Sequence, residues 1–404
     1  MAATELAGRY NVIILEARSR LGGRIRTESL PGSQKLIEAG AEFIHGKLEQ
    51  TLRLLKEAGI DYVPVEGVMY RREGRQWKEQ DDMIEGWDEL LRKMKGLKED
   101  MTMHRFLQQY FGGDQYADLR RHAIAYTEGF DIADVNKASV RSLYKEWSEE
   151  TQDENFRIPH GYGALIKYLQ EACEAKGCRI VTNSTVKQID WEENEVTVYT
   201  MAEQYAAQKV IITVPVSVLR RIAGETSINF TPPLDSHIRA SHVIGMGTVI
   251  KVVLQFQQPF WKADTGFVLS DEIIPTWWTQ LPDTNPLLTG WAGGTKAELL
   301  SDHSNEEILE KALLSLASIF EKSTEELKAN LQASSIFNWQ HEEHALGAYS
   351  YAMPGTAEAR QLLNTPVANT IFFAGEGYYE GPSPGTVEAA LVSGQQAAVK
   401  VLKS

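Results

Sequence analysis

Cysteine is scarce in this chain and long apolar runs are missing. Only Cys173 and Cys178 occur among the 404 residues, too few for a disulfide framework or a cysteine-based zinc site. No stretch reaches the roughly 20 apolar residues that a membrane-spanning helix needs, and the first residues do not have the pattern of a signal peptide. We therefore expect two thiols in a cytoplasmic protein without a membrane span.

Basic residues are also in deficit. There are 41 lysines and arginines against 55 acidic residues, a net charge of −14. Such a balance disfavours binding to nucleic acid or to anionic membranes and is compatible with a cationic substrate. The length and the 43% hydrophobic content are typical of a globular protein with two domains.

A glycine-rich turn is missing where one is expected. Residues 11–16 are strongly β-branched and predict a parallel strand buried on both faces, ending at Glu16. In dinucleotide-binding folds, a strand-end carboxylate of this kind binds a ribose hydroxyl and lies ~20 residues after a glycine-rich turn. Only Gly8 precedes Glu16 as a glycine. We expect the turn, and the strand that feeds it, to lie before residue 1 in a longer protein.

Four segments in order carry a family resemblance. They are Glu16 with 21–27, the strand around Lys251 at 247–252, residues 347–351, and 371–376 followed by 384–390. Together they resemble the flavin-containing amine oxidases, a family that includes monoamine oxidases, polyamine oxidases and L-amino-acid oxidases. The resemblance implies FAD as cofactor and an α/β fold: a Rossmann-like FAD-binding domain without its first strand, and an α+β substrate domain.

The coarse pattern of elements predicts that each domain is built from separated pieces. Residues 1–60, 155–215 and 340–404 would form the FAD-binding domain. Residues 61–154 and 216–339 would form the substrate-binding domain, with a helical lobe over 61–150. Helices are expected over 47–59, closed by Gly59, and over 305–320.

The resemblance assigns cofactor contacts to both ends of the chain. Glu16 would bind the ribose and Arg24 the pyrophosphate, although a strand-end glutamate can also be a plain surface charge. The backbone at Val186 would meet the adenine, or Val186 is an ordinary core residue. The other expected cofactor-binding residues are Arg18, Gly23, Trp339, Gly375, Glu376, Thr386 and Val387. Ala348 stands where monoamine oxidases attach flavin through cysteine, so non-covalent FAD is expected.

Three residues are candidates for catalysis. Lys251 interrupts an apolar strand, where an ammonium is costly unless it is paired or hydrated. The resemblance implies that Lys251 holds a water against flavin N5. The alternative is that Lys251 lies on an exposed face of the strand. Tyr349 resembles one wall of an aromatic cage around the amine. Residues 381–384 supply no aromatic second wall, which leaves Tyr378 or Tyr379. His45 would tune amine protonation or is structural.

Trp277 and Trp278 either line the substrate pocket or belong to the core, as aromatic pairs on strands more often do.

The leading hypothesis is FAD-dependent oxidation of an amine to an imine, with reoxidation by O2 and release of peroxide. The expected partners are thus a small amine and O2, with no metal and no nucleic acid; the oligomeric state is not predicted. The alternatives are a truncated or degenerate homologue that cannot hold FAD, and a flavin-dependent desaturase or protoporphyrinogen oxidase-like enzyme.

Overall fold

The computed structural model describes residues 1–79, 84–149 and 154–404. The helices are α1 (Ala2–Leu6), α2 (Glu49–Ala58), α3 (Trp87–Lys95), α4 (Met103–Tyr110), α5 (Ala117–Gly129), α6 (Val140–Glu149), α7 (Gly163–Ala175), α8 (Val216–Leu219), α9 (Asp235–Ser241), α10 (Gly294–Leu300), α11 (Asn305–Phe320), α12 (Thr324–Asn330), α13 (Thr356–Asn364) and α14 (Val387–Lys403). Of these helices in the described ranges, none is long and apolar enough to cross a bilayer.

The strands form several sheets of different size. They are β1 (Ile13–Leu15), β2 (Thr27–Ser29), β3 (Leu36–Glu38), β4 (Phe43–His45), β5 (Val63–Pro64), β6 (Val68–Glu73), β7 (Gln76–Glu79), β8 (Asn155–Arg157), β9 (Arg179–Val181), β10 (Val186–Glu192), β11 (Glu195–Thr200), β12 (Gln204–Ala207), β13 (Val210–Ile212), β14 (Asn229–Thr231), β15 (Ile244–Met246), β16 (Val249–Phe256), β17 (Thr265–Leu269), β18 (Thr276–Trp278), β19 (Leu287–Gly293), β20 (Leu331–Asn338), β21 (Ser350–Ala352) and β22 (Ile371–Phe373).

Two parallel pairs, β1 with β9 and β13 with β22, bring together the beginning, the middle and the end of the chain. The prediction that residues 11–16 are buried on both faces was wrong. Strand β1 has three residues, and Ile13 is 43% exposed. Within the described part of the chain β1 pairs with β9 alone, so one edge of the strand is not covered by a neighbouring strand.

The largest sheet has seven strands in the order β20-β16-β19-β18-β17-β6-β7. Side chains alternate between the faces of β16. Ile250, Val252 and Leu254 join the core beneath α11, while Val249 and Val253 join a cluster on the opposite face that contains Ala39, Phe337 and Trp339. Lys251 shares the face of Val249 and Val253, so the alternation directs it toward the first segments of the chain.

The helical lobe is shorter than expected. Its core, which includes Leu90, Phe106 and Trp147, is built by α3–α6. The expected lobe over 61–150 was therefore wrong at its start, because β5, β6 and β7 occupy 63–79 and β6-β7 extend the seven-stranded sheet. The segment is rich in charged residues, with Tyr70 and Trp77 as its aromatic residues, and it lacks the apolar–polar alternation that indicates a strand.

Two helix predictions are confirmed. Helix α11 spans Asn305–Phe320, and it begins with a capping box in which Ser304 and Glu307 satisfy each other's backbone N–H groups. Helix α2 is followed by Gly59 in the left-handed region, with φ 63°.

A buried carboxylate of α14 caps α2 from outside the helix. Glu388 accepts hydrogen bonds from the Gln50 N–H at 2.8 Å and from the Thr51 N–H and hydroxyl at 2.7 Å each. These N–H groups lie in the first turn of α2, where no carbonyl within the helix can accept them, and a negative charge there also complements the helix dipole. Glu388 thus fixes α14 against α2.

We predict that Glu388→Gln lowers the stability of the protein by about 2–3 kcal/mol. The amide retains the shape of the carboxylate but loses its negative charge, and its NH2 group would face the N–H donors of α2. The measurement is the urea midpoint of unfolding. Glu358→Gln is the matched control, since Glu358 lies in the first turn of α13 and is exposed; its effect should stay within about 0.5 kcal/mol. Equal midpoints for the two variants would contradict the capping role.

Candidate active site

Lys251 is buried and paired. Its side chain is 1% exposed, and its ammonium donates to Glu42 Oε2 at 2.7 Å and to the Gly40 carbonyl at 3.2 Å. The alternative of an exposed strand face was therefore wrong. A buried ammonium is tolerated because these partners replace the water it has lost.

Glu42 is the residue around which this part of the site is arranged. Besides Lys251, it accepts hydrogen bonds from Trp278 Nε1 at 2.9 Å and from Arg157 Nη2 at 3.3 Å. Burial alone would raise the pKa of Glu42, but the charges of Lys251 and Arg157 outweigh burial and lower the pKa below its usual value. Glu42 is therefore a permanent anion at neutral pH.

A second buried carboxylate lies nearby. Glu38 Oε1 accepts from the Tyr162 N–H at 2.5 Å and from the Thr27 hydroxyl at 2.9 Å, whereas Oε2 is buried without a hydrogen-bond partner in the described structure. Burial raises the pKa of Glu38 from 4.5 to about 7, although these hydrogen bonds and the charge of Lys251 act in the opposite direction. Unlike Glu42, Glu38 changes charge near neutral pH.

Aromatic side chains meet beside these charges. His45 and Phe130 have more than a third of their surface accessible, and Phe130 is 44% exposed. The accessible surface bounded by His45, Phe130 and Tyr349 is called the cleft below. The His45 and Phe130 rings meet edge to face at 5.9 Å, and the Tyr349 hydroxyl donates to the Phe130 carbonyl at 2.5 Å.

Two titratable groups of the cleft are kept neutral. Burial lowers the pKa of His45 below its usual value, against a hydrogen bond of 2.8 Å between Nδ1 and Asn155 Oδ1. Burial also raises the pKa of Tyr349 well above its usual value, and the charges of Asp131 and Glu146 add to this. At neutral pH the cleft therefore presents an imidazole and a phenol rather than ions.

The remaining aromatic candidates divide between site and core. Trp278 contacts Glu42, and its ring lies 5.5 Å from the Lys251 ammonium. Trp277 is fully buried and donates to the Ile274 carbonyl, so it belongs to the core. Tyr378 is 1% exposed and donates to the Val214 carbonyl at 3.1 Å; it is a core residue and not a wall of the cleft. Tyr379 is also buried.

The loop of Arg24 and the segment before His45 run side by side. The Ala39 and Ala41 N–H groups donate to the Arg26 and Arg24 carbonyls at 2.8 and 3.2 Å. A Cβ on Gly40 would lie 1.9 Å from the Arg24 carbonyl oxygen, so only glycine permits this approach. Trp339 covers the junction and donates from Nε1 to the Ala39 carbonyl at 2.9 Å.

Arg24 links the two ends of the chain. Its Nη1 donates to Glu376 Oε1 at 2.6 Å and to the Ala348 carbonyl at 2.8 Å. Glu376 also accepts from the Ser350 hydroxyl at 2.6 Å and is 5% exposed. Burial would raise the pKa of Glu376, but Arg24 and Ser350 outweigh burial and lower it. In this structure Glu376 therefore positions Arg24.

The strand-end carboxylate and the arginine-rich loop also meet. Glu16 Oε1 accepts from the Arg18 N–H at 2.8 Å, and Arg18 donates to the Gly23 carbonyl at 3.2 Å and to Glu342 at 2.9 Å. The arginine-rich loop is residues 18–26, which contain four arginines. Burial lowers the pKa of the Arg20 guanidinium, and repulsion from Arg18 and Arg26 adds to this. Such a concentration of positive charge in an acidic chain fits a diphosphate group.

The expected contacts in the last segment also converge on this region. Thr386 caps α14 by accepting from the Ala389 N–H at 3.1 Å, and Val387 packs with Ile25 in one cluster. The Gly375 N–H donates to Ser393 of α14 at 3.0 Å. Val186 begins β10 and packs on the cluster that also contains Leu15. Among the described residues, no group of histidine, cysteine or carboxylate side chains is arranged to hold a metal ion.

Two residues of the site were missed by the sequence analysis. Phe130 follows α5 in a lobe without a recognisable motif, so nothing marked it. Glu42 was missed because its contact with Lys251 spans 209 residues, and no local sequence signal links the two residues.

The comparisons with known proteins identify the family. A sequence model described as "Flavin containing amine oxidoreductase" matches residues 1–402, and the chain belongs to this family. The predicted resemblance is confirmed, and a flavin cofactor is implied. The chain is 24% identical to polyamine oxidase 3 of Oryza sativa subsp. japonica, with 98% of the chain and 85% of that protein covered. It is also 24% identical to lysine-specific histone demethylase 2 of Homo sapiens, with 96% and 50% covered.

Solved structures confirm the α/β fold class. Putrescine oxidase bound to putrescine has a TM-score of 0.81 at 21% identity, and cyclohexylamine oxidase from Brevibacterium oxydans IH-35A has 0.81 at 20%; each comparison covers 100% of this chain and 96% of the other. The chain spans half or less of the length of the histone demethylases it matches. It covers 50% of lysine-specific histone demethylase 2 and 16% of lysine-specific histone demethylase 1 homolog 3 of Arabidopsis thaliana. The domain boundaries and the residue roles stay predictions.

We predict that Glu38 makes stability depend on pH. The raised pKa means that the folded protein binds the proton more tightly than the unfolded chain does. The stabilisation is therefore complete below the unfolded pKa and is lost as the pH rises through about 7. The loss amounts to about 3 kcal/mol, and Glu38→Gln should abolish it.

The measurement is the urea midpoint of Glu38→Gln relative to the unmodified protein, which should rise between about pH 5 and pH 8. Glu57→Gln is the control, because Glu57 is an exposed glutamate paired with Arg53 on α2. A difference that stays constant over this range would show that Glu38 does not change charge as predicted and would contradict the prediction.

Proposed function

We propose that this protein is an FAD-dependent amine oxidase, which oxidises the C–N bond of a small amine to an imine and passes the electrons to O2, releasing hydrogen peroxide. The observation that carries the proposal is a buried Lys251–Glu42 pair beside an aromatic cleft, in a chain of the flavin-containing amine oxidoreductase family. Bound FAD would supply the redox chemistry by accepting a hydride equivalent from the α-carbon of the amine.

The cofactor would be held by groups from both ends of the chain. Glu16 would bind the ribose, the arginine-rich loop with Gly23 and Arg24 the pyrophosphate, and the N–H groups at the start of α14 the pyrimidine edge. Val186 would contact the adenine, and Trp339 and Gly375 would flank the ring and the ribityl chain. The donor set supports this assignment, since Arg24 is already held in place by Glu376.

Non-covalent binding is supported by Ala348. Alanine has no nucleophile for a covalent link, and its carbonyl is occupied by Arg24. A reducing compartment, the cytoplasm, is supported by the two cysteines, which are buried free thiols.

The cleft residues would bind and deprotonate the amine. Rings of Tyr349 and Phe130 offer apolar faces to its carbon chain. Since Asn155 Oδ1 accepts from His45 Nδ1, the other ring nitrogen carries the lone pair. A neutral imidazole can accept a proton from an arriving ammonium group. The free amine is the form that can be oxidised, because its nitrogen lone pair stabilises the positive charge that develops at the α-carbon.

Lys251 would act on the flavin side of the cleft. Its ammonium has one N–H left after the bonds to Glu42 and Gly40, with no further acceptor in the described ranges. This hydrogen can hold a water or stabilise negative charge as O2 is reduced.

The test is a visible spectrum of the protein with FAD, followed by anaerobic addition of putrescine, cyclohexylamine or spermidine. We predict a bound-flavin band that is bleached by at least one of these amines, with peroxide formed when air is admitted. A flavin band that none of them bleaches would favour the desaturase or protoporphyrinogen oxidase-like alternative. Protein that retains no flavin would favour the non-catalytic alternative.

We predict that Lys251→Met slows bleaching by the amine and reoxidation by O2 about tenfold or more, because the methionine retains the volume but removes the charge. Stopped-flow absorbance separates the two steps. Lys35→Met is the control, since Lys35 forms an ion pair with Asp283 that is 2.6 Å long and partly exposed. Unchanged rates for Lys251→Met would eliminate the role given to this lysine.

A further inference from the structure

Two arginines line a surface cavity to which the proposed oxidation gives no role. The cavity has a volume of about 540 Å³ and is lined by Ser217, Arg220, Arg221, Ile222, Ala223 and Leu346. This volume is within the range of small-molecule sites, which is roughly 300–1,000 Å³. None of the lining residues belongs to the candidate active site, and the two arginines are the only charged residues among them.

Arg220 is a half-buried cation with almost no partner. It follows α8, and its Nη1 donates to the Ile244 carbonyl at 3.4 Å, which is long for a hydrogen bond. A guanidinium has five N–H donors, and the others have no acceptor in the ranges that the structure describes. Burial lowers the pKa of Arg220, and Tyr351 is the one described group that opposes it. An anion beside Arg220 would therefore replace the water that this charge has lost.

Arg221 is fixed at the cavity by the turn that follows it. Its Nε donates to the Ala223 carbonyl at 3.1 Å, and its Nη1 donates to the Thr226 hydroxyl at 3.3 Å. A Cβ on Gly224 would lie 3.0 Å from Nη2, so the turn closes over the guanidinium only because Gly224 has no side chain. Among the described residues, no carboxylate pairs with Arg221 and nothing accepts from Nη2. A second guanidinium is thus held in place with N–H groups available to a ligand.

We propose that this cavity binds a phosphate monoester, with the phosphate group at Arg220 and Arg221 and the organic group against Ile222 and Leu346. Two adjacent guanidiniums match the charge of a phosphate dianion better than that of a carboxylate, and each can donate two parallel hydrogen bonds to phosphate oxygens. Ile222 is 86% exposed, so an apolar or aromatic substituent of the ligand would cover it.

A binding role for Arg220 has a consequence that a structural role does not have. A half-buried cation without an anion destabilises the ligand-free protein. Arg220→Met should therefore leave the urea midpoint of unfolding unchanged or raise it, whereas the loss of a structural arginine would lower the midpoint. A lower midpoint for Arg220→Met would overturn the proposal.

The direct test is calorimetric titration of the FAD-loaded protein, in which the cofactor occupies the arginine-rich loop. The probes are phenyl phosphate, inorganic phosphate and benzoate. We expect one phenyl phosphate per chain, with inorganic phosphate and benzoate bound about tenfold or more weakly, because the first lacks the apolar group and the second lacks the dianion. Absence of phenyl phosphate binding would overturn the proposal.

Matched variants locate the bound phosphate. Arg220→Gln and Arg221→Gln should each weaken phenyl phosphate binding about tenfold or more. Arg179→Gln is the control, since it removes one positive charge from an exposed arginine that lies 3.7 Å from Glu203, and it should have no effect. Unchanged affinity in both cavity variants, or an equal loss in Arg179→Gln, would overturn the proposal.

A phosphate monoester can be a soluble molecule or a lipid headgroup, and sedimentation with vesicles separates these two sources. Phosphatidylcholine vesicles that contain phosphatidic acid display a phosphate monoester. We expect the protein not to sediment with them, because its net charge of −14 opposes an anionic surface. Sedimentation that Arg221→Gln abolishes would support the site at the arginines and identify its ligand as the lipid headgroup.

The inference is independent of the proposed function. If the protein retains no FAD, the titration is made with the FAD-free protein and includes Arg26→Gln, a variant in the arginine-rich loop. Binding that is lost in Arg221→Gln and kept in Arg26→Gln would support the cavity, and the reverse would overturn the proposal. Failure of every amine to bleach the flavin would refute the oxidase function and leave this result unchanged.

Discussion

The burial of one ammonium group constrains the centre of this molecule. Lys251 lies in the apolar run 249–254 of β16, and its neighbours on both sides are buried. An uncompensated charge there would be very costly, so a carboxylate must reach it from outside the strand. Glu42 does so only because Gly40 permits the segment before it to lie directly against the Arg24 backbone. The burial of Lys251 therefore requires that residues 39–42 follow this path.

A second ion pair extends this requirement to the end of the chain. Arg24 and Glu376 are 352 residues apart in sequence and 2.6 Å apart in space, and Glu388 fixes the following helix against α2 through three hydrogen bonds. Both carboxylates are buried, so each is stabilising only while its partner segment is in place. The candidate site is therefore assembled from distant segments, and none of them forms it alone.

The sequence predicts those parts of this arrangement that depend on local pattern. The alternation in β16, the capping box of α11 and the glycine after α2 are written in consecutive residues, and the lysine in an apolar strand indicates a buried ion pair. The partner of that lysine is not predictable from local pattern, because Glu42 is defined by a contact across 209 residues. Phe130 is similar: its place in the cleft comes from how the helical lobe meets the sheet. The strand at 68–73 was missed because Arg72, a charged residue, is buried on the same face as Tyr70, which breaks the apolar–polar alternation expected of a strand.

The electrostatics of the cleft and of the whole chain favour different protonation states of an amine. The net charge of −14 attracts a cationic ammonium from solution. Inside the cleft, His45 and Tyr349 are neutral, and the same candidate site contains two buried cations, Lys251 and Arg157, which share Glu42. A second ammonium beside them would be repelled, whereas a free amine would not. On the proposed function, the ammonium of Lys251 therefore has two effects: it stabilises negative charge as O2 is reduced, and it selects the deprotonated form of the substrate, which is the form that can be oxidised.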